Sequence, residues 1–101
     1  MANPPIACDL TLAEIRERRT GLLPGLLARA VDRRPVHEGY RWCFVSAAGL
    51  MWDIAQVIEA ERRCCRFLRF GVLAEPDGGP VWLEVTGPEG TREFLDQLVK
   101  A

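Results

Sequence analysis

The sequence predicts an α+β fold, a small, three-stranded, mostly antiparallel sheet packed with helices in the order α-β-α-β-β-α, half of a ferredoxin-like unit. Three observations carry this. Apolar residues recur at helical spacing over residues 12–33, over 47–65 and after Pro88. Tyr40–Val45 alternates strictly, with Tyr40, Trp42 and Phe44 on one face, and Val81–Val85 alternates as a further strand. Between Phe67–Glu75 and Val81 stands Pro76-Asp77-Gly78-Gly79-Pro80, whose residue types make a hairpin turn.

Residues 1–11 contain two prolines and no periodicity and read as a flexible tail; residues 12–101 read as one α+β domain. Thr11 and Glu14 form a Thr-x-x-Glu capping box ahead of Leu12, Ile15, Leu22, Leu23, Leu26, Leu27, Ala30 and Val31. Pro24 and Gly25 predict a kink, or two consecutive short helices, because proline lacks the backbone donor and crowds the preceding turn. Arg33-Arg34-Pro35 is expected to end this helix. The first strand then places Tyr40, Trp42 and Phe44 on a core face and Cys43 on the other. Ser46 is the expected N-cap of the second helix, from Ala47 to Cys65, with Trp52 opposite its buried face. The last helix starts at Gly87-Pro88-Glu89-Gly90 and buries Phe94, Leu95, Leu98 and Val99. If the first crossover is right-handed, the third strand lies between the other two.

Composition excludes several classes. Thirteen basic against fourteen acidic residues give a net charge of −1, so no global field favours nucleic acid or an anionic membrane, and nucleic acid is not an expected partner. No apolar run approaches the ~18 residues of a membrane span, and the first residues carry neither a basic nor an apolar signal region. The expected location is cytoplasmic, where the four cysteines stay reduced.

The candidate site lies at the end of the second helix, in Glu61-Arg62-Arg63-Cys64-Cys65-Arg66-Phe67. Taking Ile54 as the centre of the buried face and about 100° per residue, Leu50, Val57, Ile58, Cys65 and Glu61 all fall within roughly 60° of it. A carboxylate in an apolar stripe must be paired, hydrogen-bonded, bound to a cation or protonated. Cys64 and Cys65 follow Glu61 at i+3 and i+4, so the three side chains can share one patch. Thiolates take soft ions: zinc, copper(I), mercury or trivalent arsenic. Two adjacent cysteines suit two- or three-coordinate ions better than a tetrahedral zinc cage, which needs paired Cys-x-x-Cys or Cys/His motifs that this chain lacks. Cys8 on the tail, or a second copy of the chain, could complete the ligand set; Cys43 faces away. Arg62, Arg63, Arg66 and Arg69 favour thiolate, while the helix C-terminus opposes it.

The expected function is thus capture of a thiophilic metal or metalloid ion through Cys64 and Cys65, with Glu61 as ligand or supporting group, by a small binding protein, and whether the chain is also an enzyme is left open. Two alternatives stand beside it. The thiols could serve a redox sensor or thiol enzyme, or the chain could be a homodimeric interaction module marked by outward Trp52 and Trp82. A homodimer is the expected partner state. The arginine run reads equally as a solvated face, and His37 as a loop residue with no triad context.

Residues 61–70, from Glu61-Arg62-Arg63-Cys64-Cys65-Arg66-Phe67 to Phe70, and residues 79–90, Gly-Pro-Val-Trp-Leu-Glu-Val-Thr-Gly-Pro-Glu-Gly, resemble a group of small uncharacterised bacterial proteins with a Glu-Arg-x-Cys-Cys-x-Phe motif. The likeness extends from about Leu12 onward. Those proteins carry proline where Arg66 stands here, which implies a sharper helix stop than this chain has. The resemblance implies the boundaries of the site and no activity.

Overall fold

The computed structural model describes residues 22–99. The elements are α1 (Leu22–Leu27), β1 (Asp32–Val36), β2 (Gly39–Phe44), α2 (Leu50–Cys64), β3 (Arg69–Ala74), β4 (Val81–Thr86) and α3 (Thr91–Val99). Four antiparallel strands form one sheet in the order β1-β2-β4-β3. The α+β class holds, and β4 lies between β2 and β3, the strand order expected.

The strand count is corrected from three to four. Arg33-Arg34-Pro35, expected to close the first helix, is the middle of β1, paired with Tyr40–Trp42 of β2. The helical run has already ended at Leu27, and the Val31 amide donates to the Cys43 carbonyl at 2.8 Å. The Asp32 carboxylate then accepts from the Arg33 amide at 2.8 Å and from Arg34 Nε at 3.2 Å at the start of the strand. The arginines then lie over aromatic rings, Arg33 4.3 Å from the Tyr40 centroid and Arg34 5.6 Å from that of Trp82. Proline is tolerated because β1 is an edge strand. The capping box at Thr11 and Glu14, Cys8 and residues 12–21 of the expected first helix lie outside the described residues.

The hairpin joining β1 to β2 turns on His37 and Glu38, the latter in the left-handed region with φ 51°. That conformation is held by a long-range contact, since Glu38 Oε1 accepts the Gly90 amide at 3.2 Å and so ties the turn to the start of α3. Gly39 follows because nothing larger fits: a Cβ there would lie 2.0 Å from the Val85 carbonyl oxygen. Arg92 of α3 reinforces the same corner, donating to the carbonyls of Val36 and Gly39.

Strand alternation puts Tyr40, Trp42 and Phe44 of β2 and Val81, Leu83 and Val85 of β4 on one face. There they meet Leu23, Leu26 and Leu27 of α1, Leu50, Ile54 and Val57 of α2, and Leu95 and Leu98 of α3. Phe94 and Val99, also expected on the apolar face of α3, are partly buried against this core. The opposite face of the sheet carries Asp32, Arg34, Arg41, Cys43, Trp82, Glu84, Arg69 and Leu73 by the same alternation.

Two helix starts are also corrected. α2 begins at Leu50, and its N-cap is Gly49 at φ 81° with no side-chain cap, not Ser46. A tight turn, closed by the Leu50 amide on the Ala47 carbonyl, uses up the residues expected to be helical. In α3 the Gly87–Gly90 stretch forms the approach, and the helix starts at buried Thr91, whose hydroxyl donates to the Pro88 carbonyl at 2.6 Å.

Candidate functional site

α2 buries Leu50, Ile54, Val57 and Glu61 along one stripe, so an acidic residue occupies a position that packing alone would give to leucine. Glu61 is 0 % exposed. Its backbone carbonyl accepts the amide of Cys65 at 2.7 Å and thereby closes the last turn of the helix. The chain then leaves helical geometry at Cys65, with φ −119° and ψ 75°, and the Leu68 amide returns to the Cys65 carbonyl at 3.1 Å. The helix therefore stops at the thiol pair although Arg66 stands where proline would enforce the stop.

Glu61, Cys64 and Cys65 thus lie within about one turn at one helix end. Their environments differ. Cys65 is buried in the hydrophobic core beside Phe67 and Leu68 in sequence, whereas Cys64 is half-buried and packs on the edge of that core. Cys65 is the C-cap, and its burial agrees with its place on the helical wheel. Neither thiol is in a disulfide. Among the described residues no three His, Cys, Asp or Glu side chains form a group that could hold a metal ion.

Arg62, Arg63 and Arg66, next to the thiols in sequence, are exposed; Arg69 is exposed too but lies on the opposite face of the sheet. Cys43 is half-buried on the opposite side of the sheet, across from Asp32 and Trp82, and is not brought to the site. His37 sits exposed in the β1–β2 turn, as expected of a loop residue. Trp52 projects outward from α2 and is 69 % exposed. Trp82 is half-buried, flanked by Arg34 and Arg41 with both guanidiniums 5.6 Å from its ring centroid.

Two features escape sequence reading because contacts between distant stretches of chain create them. A half-open cavity of about 490 Å³ lies at the sheet end where Phe67 precedes β3, with His37, Arg69, Glu84 and Thr86 on its walls. Its residues come from three separate stretches of chain. On the covered face, Tyr40 donates to Asp96 Oδ1 at 2.7 Å. This hydrogen bond, with the burial of the ring and the nearby Asp96 charge, raises the Tyr40 pKa above its ordinary value.

Comparison with protein-family models, curated proteins and solved structures gives no match for the chain. No helix among the described residues is long and apolar enough to cross a membrane.

Proposed function

We propose that this protein captures a thiophilic metal or metalloid ion through Cys64 and Cys65, with Glu61 as a ligand or as the group that supports them. The observation that carries the reading is the full burial of the Glu61 carboxylate one turn ahead of two uncrosslinked thiols. An acidic side chain in a position where packing alone would favour leucine, three and four residues ahead of two thiols, supports a role in chemistry at that helix end.

The unequal burial of the thiols gives the capture an order. Cys64 is reachable from solvent and takes the ion first; Cys65, sealed in the core, closes the second bond and shields it from competing ligands in water. Each sulfur–ion bond replaces an S–H bond, so capture by two neutral thiols releases two protons. Glu61, if it is ionised, is placed to accept one of them or to offset the charge of the ion. The ions that fit are those content with two thiolates, copper(I) and mercury(II), or those that take a third ligand from elsewhere, trivalent arsenic and zinc. The reading needs both thiols reduced and so supposes a reducing compartment such as the cytoplasm.

The test is calorimetric titration of the reduced protein with a trivalent arsenical, which favours paired over single thiols. Stoichiometry near one per chain is expected. Cys64→Ser and Cys65→Ser should each abolish binding, and Glu61→Gln should weaken it about tenfold, whereas Cys43→Ser should leave it intact. Undiminished binding in the Cys64→Ser/Cys65→Ser double variant would overturn the reading.

A further inference from the structure

The two edges of the sheet are protected unequally. β1 carries Arg33, Arg34 and Pro35, and Pro35 has no N–H to offer an incoming strand. β3 has no such guard: Phe70-Gly71-Val72-Leu73-Ala74 is uncharged and free of proline, with Val72 38 % and Leu73 60 % exposed. Among the described residues nothing pairs with its outer side.

The direction of its free backbone groups follows from the ladder. Beyond the end of β3, the Glu75 amide donates to the Pro80 carbonyl at 3.0 Å. Alternation in an antiparallel pair then turns Leu73, Gly71 and Arg69 toward β4 and points the amides and carbonyls of Phe70, Val72 and Ala74 outward.

We propose that β3 pairs antiparallel with β3 of a second copy of this chain, across a two-fold axis at Val72, to give a continuous eight-stranded sheet. The occupant follows from self-complementarity. With Val72 facing its own copy, Phe70 lies opposite Ala74, Gly71 opposite Leu73 and Arg69 opposite Glu75. Every off-axis pair matches large with small or positive with negative. The outward backbone groups also match, since Phe70, Val72 and Ala74 meet only one another. Shifting the strands by two residues keeps the hydrogen bonds but sets Arg69 or Glu75 against an uncharged neighbour, so charge selects this register. Because the symmetry is isologous, each dimer contains two Arg69–Glu75 pairs. A single strand edge is a small interface, and a dissociation constant on the order of micromolar is expected.

Sedimentation of the reduced full chain across a concentration series tests this, with circular dichroism confirming the fold of each variant. Arg69, Leu73 and Glu75 are all exposed, so substitutions there leave the core intact. The wild-type chain should pass from monomer to dimer, and Leu73→Lys should remove the dimer. Arg69→Glu and Glu75→Arg should each weaken it about tenfold by opposing like charges, and the double swap should restore it. A chain that stays monomeric at high concentration would overturn the proposal. So would a dimer indifferent to these changes but lost in Trp52→Ala, or a double swap no better than its parents.

Discussion

Leu83 and Leu73 stand on neighbouring strands of one sheet and have opposite fates. Leu83 faces the helices and is fully buried; Leu73 faces away from them and is 60 % exposed. The covered face holds the core, the Tyr40–Asp96 bond and the helix that carries Glu61 and Cys65. The bare face holds Cys43, Trp82 and the arginines that lie over it. Among the described residues, the buried acid Glu61 lies in the covered layer, while the bare face is organised by cation–π contacts and by an unguarded edge.

The comparison breaks most severely where the strands themselves must touch. Gly39→Ala would force a Cβ against the Val85 carbonyl, which no side-chain rotation relieves, and should cost at least about 3 kcal/mol in urea unfolding. An unchanged midpoint would mean that the β2–β4 seam is looser than described. The same substitution on the two faces comes next. Leu83→Ala should lose about 3 kcal/mol through transfer and cavity terms. Leu73→Ala, at concentrations where the chain is monomeric, should stay within about 0.5 kcal/mol. Comparable losses at both would erase the distinction between the faces.

Tyr40 sharpens the contrast through pH. It is the only tyrosine in the chain, so phenolate absorbance reports it alone. Its pKa is raised in the folded state, foremost by the hydrogen bond to Asp96. The stability it contributes is therefore fully present below the unfolded value near 10 and is lost as pH rises through the folded value. Absorbance should titrate at higher pH in the native protein than in urea, and Asp96→Asn should reduce the gap. The smallest effect belongs to the bare face. Arg41→Ala removes one cation–π neighbour of Trp82 at an exposed site and should cost about 0.5 kcal/mol in the same unfolding assay.

Much of the covered layer was legible in the sequence. Alternation at Tyr40, Trp42 and Phe44 and the stripe from Leu50 to Glu61 are local patterns, and local patterns survive without knowledge of the fold. The burial of Glu61 was readable for the same reason. β1 was not, because a strand of Asp32-Arg33-Arg34-Pro35-Val36 has no apolar periodicity. What makes it a strand is pairing with β2 and the rings of Tyr40 and Trp82, the latter almost fifty residues away in sequence. The φ of Glu38 depends on Gly90, also far along the chain, and the N-terminal cap of α2 depends on backbone geometry at Gly49 where Ser46 offered the better side chain. At the site, spacing located the thiol pair, and the burial of Cys65 agrees with its place on the helical wheel.

The central claim is that Cys64 and Cys65 act together on a soft ion, and alkylation footprinting tests it most directly. The native reduced protein is labelled with iodoacetamide, with and without one equivalent of a trivalent arsenical, and each cysteine is read by mass spectrometry. With Cys65 buried and slow to label in either case, the ion should protect Cys64 while labelling of Cys43 is unchanged, and Cys65→Ser should remove that protection. Equal labelling of Cys64 with and without the ion, or protection spread across all thiols alike, would contradict it.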